Sequence, residues 1–335
     1  MSRMLEACGD IEIVATASNG VDAIAMAATQ PIDVIVLDLE MPRLGGLKAL
    51  PELVAASSGA RILIVSSFSN DGAEASIEAL LLGATDTLAK PRGGWGRDSH
   101  NFSGLLVEKV RTLAECSPIA IRARKQTPIP AQAVPVKRSR TPVTALAIAA
   151  STGGPAVLFD LLKRLPPAFT GPVFITQHLP AAFIPHFAAH LERHCRRPVT
   201  VACDQQIVQP SMICLAPGHA HLVLVRRGAE CMITLSAEAA ASGCRPSADP
   251  MFESFAEAYQ DAGAAIVLSG MGRDGLAGAR AVRKAGGQIV VQDQRSSVVW
   301  GMPGVIADAG LADAVLAPDA ISQWLALAMT AKGRK

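Results

Sequence analysis

Ser151, His178 and Asp274 each follow an apolar run, and together they hold the side chains that a nucleophilic hydrolase needs. Ser151 ends the run Thr144–Ala150 and precedes Thr152-Gly153-Gly154-Pro155, after which Ala156–Leu165 reads as a helix. A serine at such a strand-to-helix apex is exposed beside the unpaired N–H groups of a helix N-terminus, which can stabilise a tetrahedral oxyanion. The same residues also suit an ordinary serine N-cap with glycines for a tight turn. A serine nucleophile further needs an imidazole to take its proton and a carboxylate to orient that imidazole. His178 follows the run Pro172–Thr176, and Asp274 follows Ala264–Leu268. Alone, the first reads as a surface histidine and the second as a helix cap. At the ends of parallel strands, all three reach one sheet edge despite their distance in sequence.

Other residues support rival chemistries. Gly270-Met271-Gly272-Arg273-Asp274-Gly275 fits the G-x-G-x-x-G pattern of a dinucleotide site, with Asp293 placed for a ribose. A carboxylate at Asp274 would repel a pyrophosphate in that loop. His186, His190 and His194 recur at helical spacing beside Cys195, and His219-x-His221 sits on a strand pattern. Stacked histidines can hold zinc, but no matched acidic or thiolate set accompanies them, so the helical trio is expected on an exposed face. Arg245-Pro246-Ser247-Ala248-Asp249 reads as a rigid lead into a helix capped by Ser247 or Asp249.

The elements that must carry these residues alternate. In the first 116 residues, apolar runs at Ile11–Ala15, Asp33–Leu37, Arg61–Val65 and Asp86–Ala89 read as strands. Helical patterns lie between them at Val21–Ala28, Leu47–Ala56 and Ala73–Leu82, and Phe102–Glu115 follows. The alternation predicts a parallel sheet covered by helices. Asp38, Ser66 and Lys90 end three of its strands and would share one crevice. Residues 117–142 hold five prolines, six basic residues and no acidic ones, and read as a semi-extended linker. Without interleaved aromatics, they do not read as a nucleic-acid arm. From Val143 the alternation resumes, with short strands between Val199 and Leu235, some of them antiparallel.

A chain of 335 residues, half of them apolar, suits about two domains. No apolar run approaches the ~18 residues of a membrane span, and Met1–Gly20 lacks a secretory signal pattern. Seven cysteines without a C-x-x-C pair fit reduced thiols in the cytoplasm. The net charge of +2 selects no partner.

Asp38, Ser66 and Lys90 together resemble the phosphorylation site of response-regulator receiver domains, which have a flavodoxin-like fold. The resemblance covers residues 1–115 and implies that Asp38 accepts a phosphoryl group, supported by Ser66 and Lys90 and by Mg²⁺. The receiver's first strand, with its acidic pair, is missing from the pattern, so phosphorylation of Asp38 is expected to be weak. Adding Ala150-Ser151-Thr152-Gly153-Gly154, Gln177-His178-Leu179-Pro180, Arg245–Asp249, Gly270–Gly275 and Gly301-Met302-Pro303, nearly the whole chain resembles the chemotaxis protein-glutamate methylesterases.

That resemblance implies an incomplete receiver over 1–116, a linker over 117–142 and a doubly wound, mainly parallel α/β catalytic domain over 143–335. It implies Ser151 as nucleophile, His178 as base, Asp274 as orienting acid, and the Met271 and Thr152 N–H groups as an oxyanion hole. Implied too is a cytoplasmic monomer that demethylates methyl-accepting chemoreceptors, deamidates some of their glutamines, and takes its phosphoryl group from a histidine kinase. No cofactor is expected for the catalysis, and neither nucleic acid nor membrane insertion is expected. The family usually has glycine where this chain has Ala149. The competing readings are a dinucleotide-dependent oxidoreductase and a phospho-responsive receptor adaptor without catalysis.

Overall fold

The computed structural model describes residues 1–67, 69–91, 99–116, 141–195, 197–228 and 230–330. They fall into two units, Met1–Pro130 and Ala131–Lys335. The linker expected over 117–142 lies, apart from its last two residues, outside the described ones.

The first unit holds α1 (Ser2–Glu6), α2 (Gly20–Thr29), β1 (Val34–Asp38), α3 (Gly46–Ala56), β2 (Arg61–Ser66), α4 (Asn70–Leu81), β3 (Asp86–Ala89) and α5 (Ser99–Glu115). Its strands form one parallel sheet in the order β1-β2-β3. The strand expected at Ile11–Ala15 does not form. Residues 11–17 keep a strand's alternation, half-buried then exposed at every step, but make no ladder. The reason is pairing: a strand needs a neighbour's N–H and C=O groups. Among the described residues no strand pairs with Ile11–Ala15, and β1 pairs only with β2. β1 accordingly pairs on one side only and stays mostly half-buried, whereas β2, flanked on both sides, is buried from Ile62 to Ser66.

The second unit is built on a seven-stranded parallel sheet. Its strands are β4 (Ala145–Ala150), β5 (Val173–Gln177), β6 (Val199–Val201), β8 (Ile213–Leu215), β11 (Gly263–Val267), β12 (Gln288–Gln292) and β13 (Ala314–Leu316), in the order β13-β12-β11-β4-β5-β8-β6. Every pairing in it is parallel. β7 (Gln206–Ile207), β9 (His221–Arg227) and β10 (Glu230–Ser236) make a small antiparallel sheet, as the short strands suggested. Helices α6 (Gly154–Lys163), α7 (Ile184–Cys195), α8 (Ala248–Tyr259), α9 (Leu276–Lys284), α10 (Met302–Asp308) and α11 (Pro318–Ala328) complete the unit.

β4 is the centre of this sheet. Its sequence, Ala-Leu-Ala-Ile-Ala-Ala, is buried at every position, as a strand covered on both faces must be. Small alanines on one face admit the bulky ring of Phe252, which shares a core cluster with Ala145, Ala147 and Ala149. Ala149 therefore sits within close packing. After β4 the chain winds outward through β5, and it returns on β4's other side with β11. The strand order reverses between β4 and β11, which opens a crevice above their C-terminal ends.

Candidate active site

The three residues singled out from the sequence meet at that crevice. Ser151 directly follows β4, His178 follows β5, and Asp274 lies in the loop between β11 and α9. The backbone of the serine and of the residue before it is tied on three sides. Its N–H donates to the Ser269 carbonyl at 3.0 Å, its own carbonyl accepts from Gln177 Nε2 at 3.1 Å, and the His178 N–H donates to the Ala150 carbonyl at 3.0 Å. Gly153 caps α6 in the left-handed region at φ 76°, which lets the chain turn from strand to helix within three residues. Gly270 is required by proximity instead. A side chain there would place its Cβ 2.9 Å from Ser151 Cβ, so the glycine lets the loop after β11 pass close to the serine.

His178 Nε2 lies 2.8 Å from Asp274 Oδ2. With that nitrogen donating to the carboxylate, Nδ1 is the imidazole atom left to accept a proton. The histidine side chain is 17% exposed and that of the aspartate 1%, so the pair joins a wet face to a dry one. Asp274 is held from behind as well. Ser247 Oγ donates to Oδ1 at 2.6 Å, and the Ala248 N–H donates to Oδ2 at 2.7 Å. Burial alone would raise the acid's pKa, but the hydrogen bond and charge of His178 and the donors at Ser247 and Ala248 outweigh it, leaving about 2.

The lead into α8 supplies these donors. Ser247 is the helix N-cap, its Oγ accepting from the Asp249 N–H at 3.2 Å, so one hydroxyl both caps a helix and fixes the acid. Behind it, His221 accepts from the Ser247 N–H at Nδ1 and donates to the Glu238 carbonyl from Nε2, both at 2.8 Å. Sequence reasoning found the cap but not its second bond, nor Gln177, Ser269, His221 or Cys244 around the site. Ser247→Ala is expected to cost about 1–2 kcal/mol of stability for the lost cap and hydrogen bond and to slow turnover roughly tenfold, since Ala248 still holds the acid. Thermal melts and initial rates on one preparation check both. A turnover loss beyond a thousandfold would make the hydroxyl far more than a positioning group.

The histidine pairs are not metal centres. His221 uses both ring nitrogens internally, while His219 is exposed. The exposed face expected for His186, His190 and His194 holds only for His194. His190 is buried and His186 half-buried, on a helix whose Phe187 packs against Phe159 of α6. Among the described residues, a single group of three metal-ligating side chains converges, namely His178, Cys244 and Asp274. The dinucleotide reading loses its ribose ligand too: Asp293 Oδ1 accepts from the N–H and hydroxyl of Ser296 in its own turn. Asp274, moreover, stands inside the glycine loop that a pyrophosphate would need.

In the first unit, Asp38 ends β1 and Lys90 follows β3. The Lys90 ammonium lies 2.6 Å from Asp38 Oδ2, and the Glu40 N–H donates to Oδ1 at 3.0 Å. Ser66 ends β2, yet its hydroxyl faces inward, 2.6 Å from Ser76 Oγ, and is 1% exposed. The expected convergence is thus met by Asp38 and Lys90, and Ser66 must leave Ser76 to join them. It turned inward because α4 offers it a hydroxyl partner that the strand pattern does not reveal. The donor set does not fit a protein-held Mg²⁺. Both oxygens of Asp38 are engaged, Glu40 Oε1 accepts from Ser67 Oγ, and among the described residues no group of three ligating side chains forms around Asp38.

Residues 146–325 match the CheB methylesterase family, and residues 1–94 match the response regulator receiver domain. A protein-glutamate methylesterase/protein-glutamine glutaminase of Nitrobacter hamburgensis is 39% identical over 330 residues, covering 94% of this chain and 87% of the relative. A second such protein, from Caulobacter vibrioides, is also 39% identical, over 97% of this chain and 94% of its own length. The catalytic domain of the Thermotoga maritima CheB methylesterase superposes with a TM-score of 0.53 at 33% identity, covering 55% of this chain and 97% of that one. The serine, histidine and aspartate thus meet on a fold shared with known esterases, and this chain belongs to the CheB methylesterase family, with a response regulator receiver domain preceding its catalytic domain.

Proposed function

We propose that Ser151 is the nucleophile that demethylates glutamate methyl esters on bacterial chemoreceptors, with His178 as its base and Asp274 as the acid that orients the base. The observation that carries this reading is the His178–Asp274 hydrogen bond at the edge where β4 delivers Ser151. Ser151 Oγ attacks the γ-carbonyl carbon while its proton passes to His178 Nδ1. The N–H groups of Thr152 and Met271, one residue beyond Ser151 and Gly270, stabilise the oxyanion. The tetrahedral adduct collapses, and the methoxide leaves as methanol with the proton from His178. Water then attacks the acyl-enzyme, His178 takes its proton, and a free glutamate carboxylate and the serine are regenerated. With a glutamine side chain, the same steps release ammonia.

A fluorophosphonate probe tests the assignment, since it reacts only with an activated serine. One adduct, mapped to Ser151, is expected, together with methanol release from methylated receptor membranes. Labelling elsewhere, or none, would overturn it.

Asp38 is the phosphoacceptor position in this reading, with a histidine kinase as donor, Lys90 and Ser66 as supports, and the esterase as the activity controlled. The chain acts as a monomer in the cytoplasm, and no described helix is long and apolar enough to cross a membrane. An Asp38 already ion-paired to Lys90, with no group of three ligating side chains around it among the described residues, implies weak Mg²⁺ affinity. Acetyl phosphate with Mg²⁺ is therefore expected to phosphorylate this 335-residue polypeptide only sparsely. Intact-mass spectrometry reads the outcome, and stoichiometric addition at Asp38 with a faster esterase would contradict it.

A further inference from the structure

Cys244 is the one member of the converging ligand group with no part in the esterase mechanism. It lies on the loop between β10 and α8, half-buried, and its sulfur lies within 4.8 Å of ligand atoms on both His178 and Asp274. We propose that these three side chains form a zinc-binding site that switches the esterase off, an inference that rests on His178 being the catalytic base.

A thiolate, an imidazole nitrogen and a carboxylate oxygen are a zinc ligand set, and the sulfur disfavours magnesium and calcium. Bond lengths of about 2.3 Å to sulfur and about 2.0–2.2 Å to nitrogen and oxygen put tetrahedral ligand atoms roughly 3.3–3.6 Å apart. The sulfur must therefore close in by at most about 1.3 Å, and for a metal on Nε2 the 2.8 Å His178–Asp274 contact must open by about half an ångström. Both are side-chain movements. Cys244 stands on a loop, while Ser247 and Ala248 keep Asp274 anchored as the imidazole shifts. Water takes the fourth position, reached from the solvent side where His178 is partly exposed.

Either mode of binding disables the base. A metal on Nδ1 occupies the lone pair that would receive the serine proton. A metal on Nε2 replaces the proton shared with Asp274, and the remaining ring proton must then reside on Nδ1. The thiol proton of Cys244 leaves to solvent as the metal binds, so binding strengthens with rising pH.

Zinc chloride is titrated into the full chain, and two signals are followed: stoichiometry against a zinc-indicator dye, and methanol release from methylated receptor. One zinc per chain is expected, with turnover falling at least about tenfold at ~10 µM zinc. Cys244→Ser and Cys244→Ala should keep basal turnover within about twofold, showing that they fold, and should lose at least about 30-fold in zinc affinity with the loss of a thiolate ligand. Ser151→Ala should still bind one zinc. That arm judges the metal site when turnover cannot, so a chain without esterase activity would fail the functional reading and leave this one standing or falling on the dye signal. Equal inhibition of the Cys244 variants, or no stoichiometric binding by the wild-type chain, would overturn the proposal.

Discussion

Ser151→Ala is expected to lower methanol release by about 10⁶, the loss seen when a triad nucleophile is removed and only binding and oxyanion stabilisation remain. The size of the effect follows from the site's construction. Ser151 is 9% exposed, and its backbone is fixed from β5, from the β11 loop and by its own position at the end of β4. That scaffold holds the serine by its main-chain atoms, so alanine keeps every one of these bonds and removes only the hydroxyl. Unfolding therefore should not contribute: the thermal midpoint is expected within a few degrees of the wild type, since a hydroxyl with no structural hydrogen bond contributes little. Turnover within tenfold of the wild type in a chain that melts normally would show that another group attacks the ester.

The convergence of Ser151, His178 and Asp274 was legible in the sequence because each sits where a buried strand stops or in the loop that follows it. Apolar runs ending in Ser151, Gln177-His178 and Ser269-Gly270 mark strand ends, and parallel strands bring their ends to one edge. Ser247 and Ala248 were not legible as partners of Asp274. They reach it across 26–27 residues from a loop, and no local pattern encodes such a contact. Cys244 escaped for the same reason. Ile11–Ala15 failed in the opposite way. Its alternation survives in the structure, but a ladder is a property of two strands and cannot be read from one. His190 had the spacing of an exposed stripe, and only the packing of α7 beside α6 decides that it is buried. Short elements such as α10 and β13, at seven and three residues, carry too few positions to display a period.

Asp274→Asn separates charge from geometry, and a loss of roughly 10³–10⁴ in turnover is expected. Asp274 Oδ2 accepts two N–H groups, from His178 and Ala248, while Oδ1 accepts the Ser247 hydroxyl. An asparagine can satisfy only one side. With its oxygen at the Oδ2 place, it keeps His178 and Ala248 but turns an NH₂ toward Ser247 Oγ. That hydroxyl already accepts from Ser242 Oγ and from the Asp249 N–H, so its hydrogen must rotate and one of those bonds must yield. In the flipped orientation the NH₂ confronts the Ala248 N–H and forces the His178 proton onto Nδ1, the wrong tautomer for a base. The first arrangement loses the negative charge that stabilises the imidazolium, and the second loses the base itself. Stability offers an independent reading. The Asp274 carboxyl has a folded pKa of about 2 against an ordinary value near 3.8. A depressed pKa stabilises the folded chain above pH ~4, and that contribution, on the order of 2 kcal/mol, fades as pH falls from about 4 to 2. The substituted amide has nothing to titrate, so unfolding of the Asp274→Asn chain should depend less steeply on pH across that window. Denaturant titrations at intervals between about pH 2 and 5 measure the difference. Parallel curves for the two chains, with turnover unchanged, would remove Asp274 from both the electrostatics and the chemistry of the site.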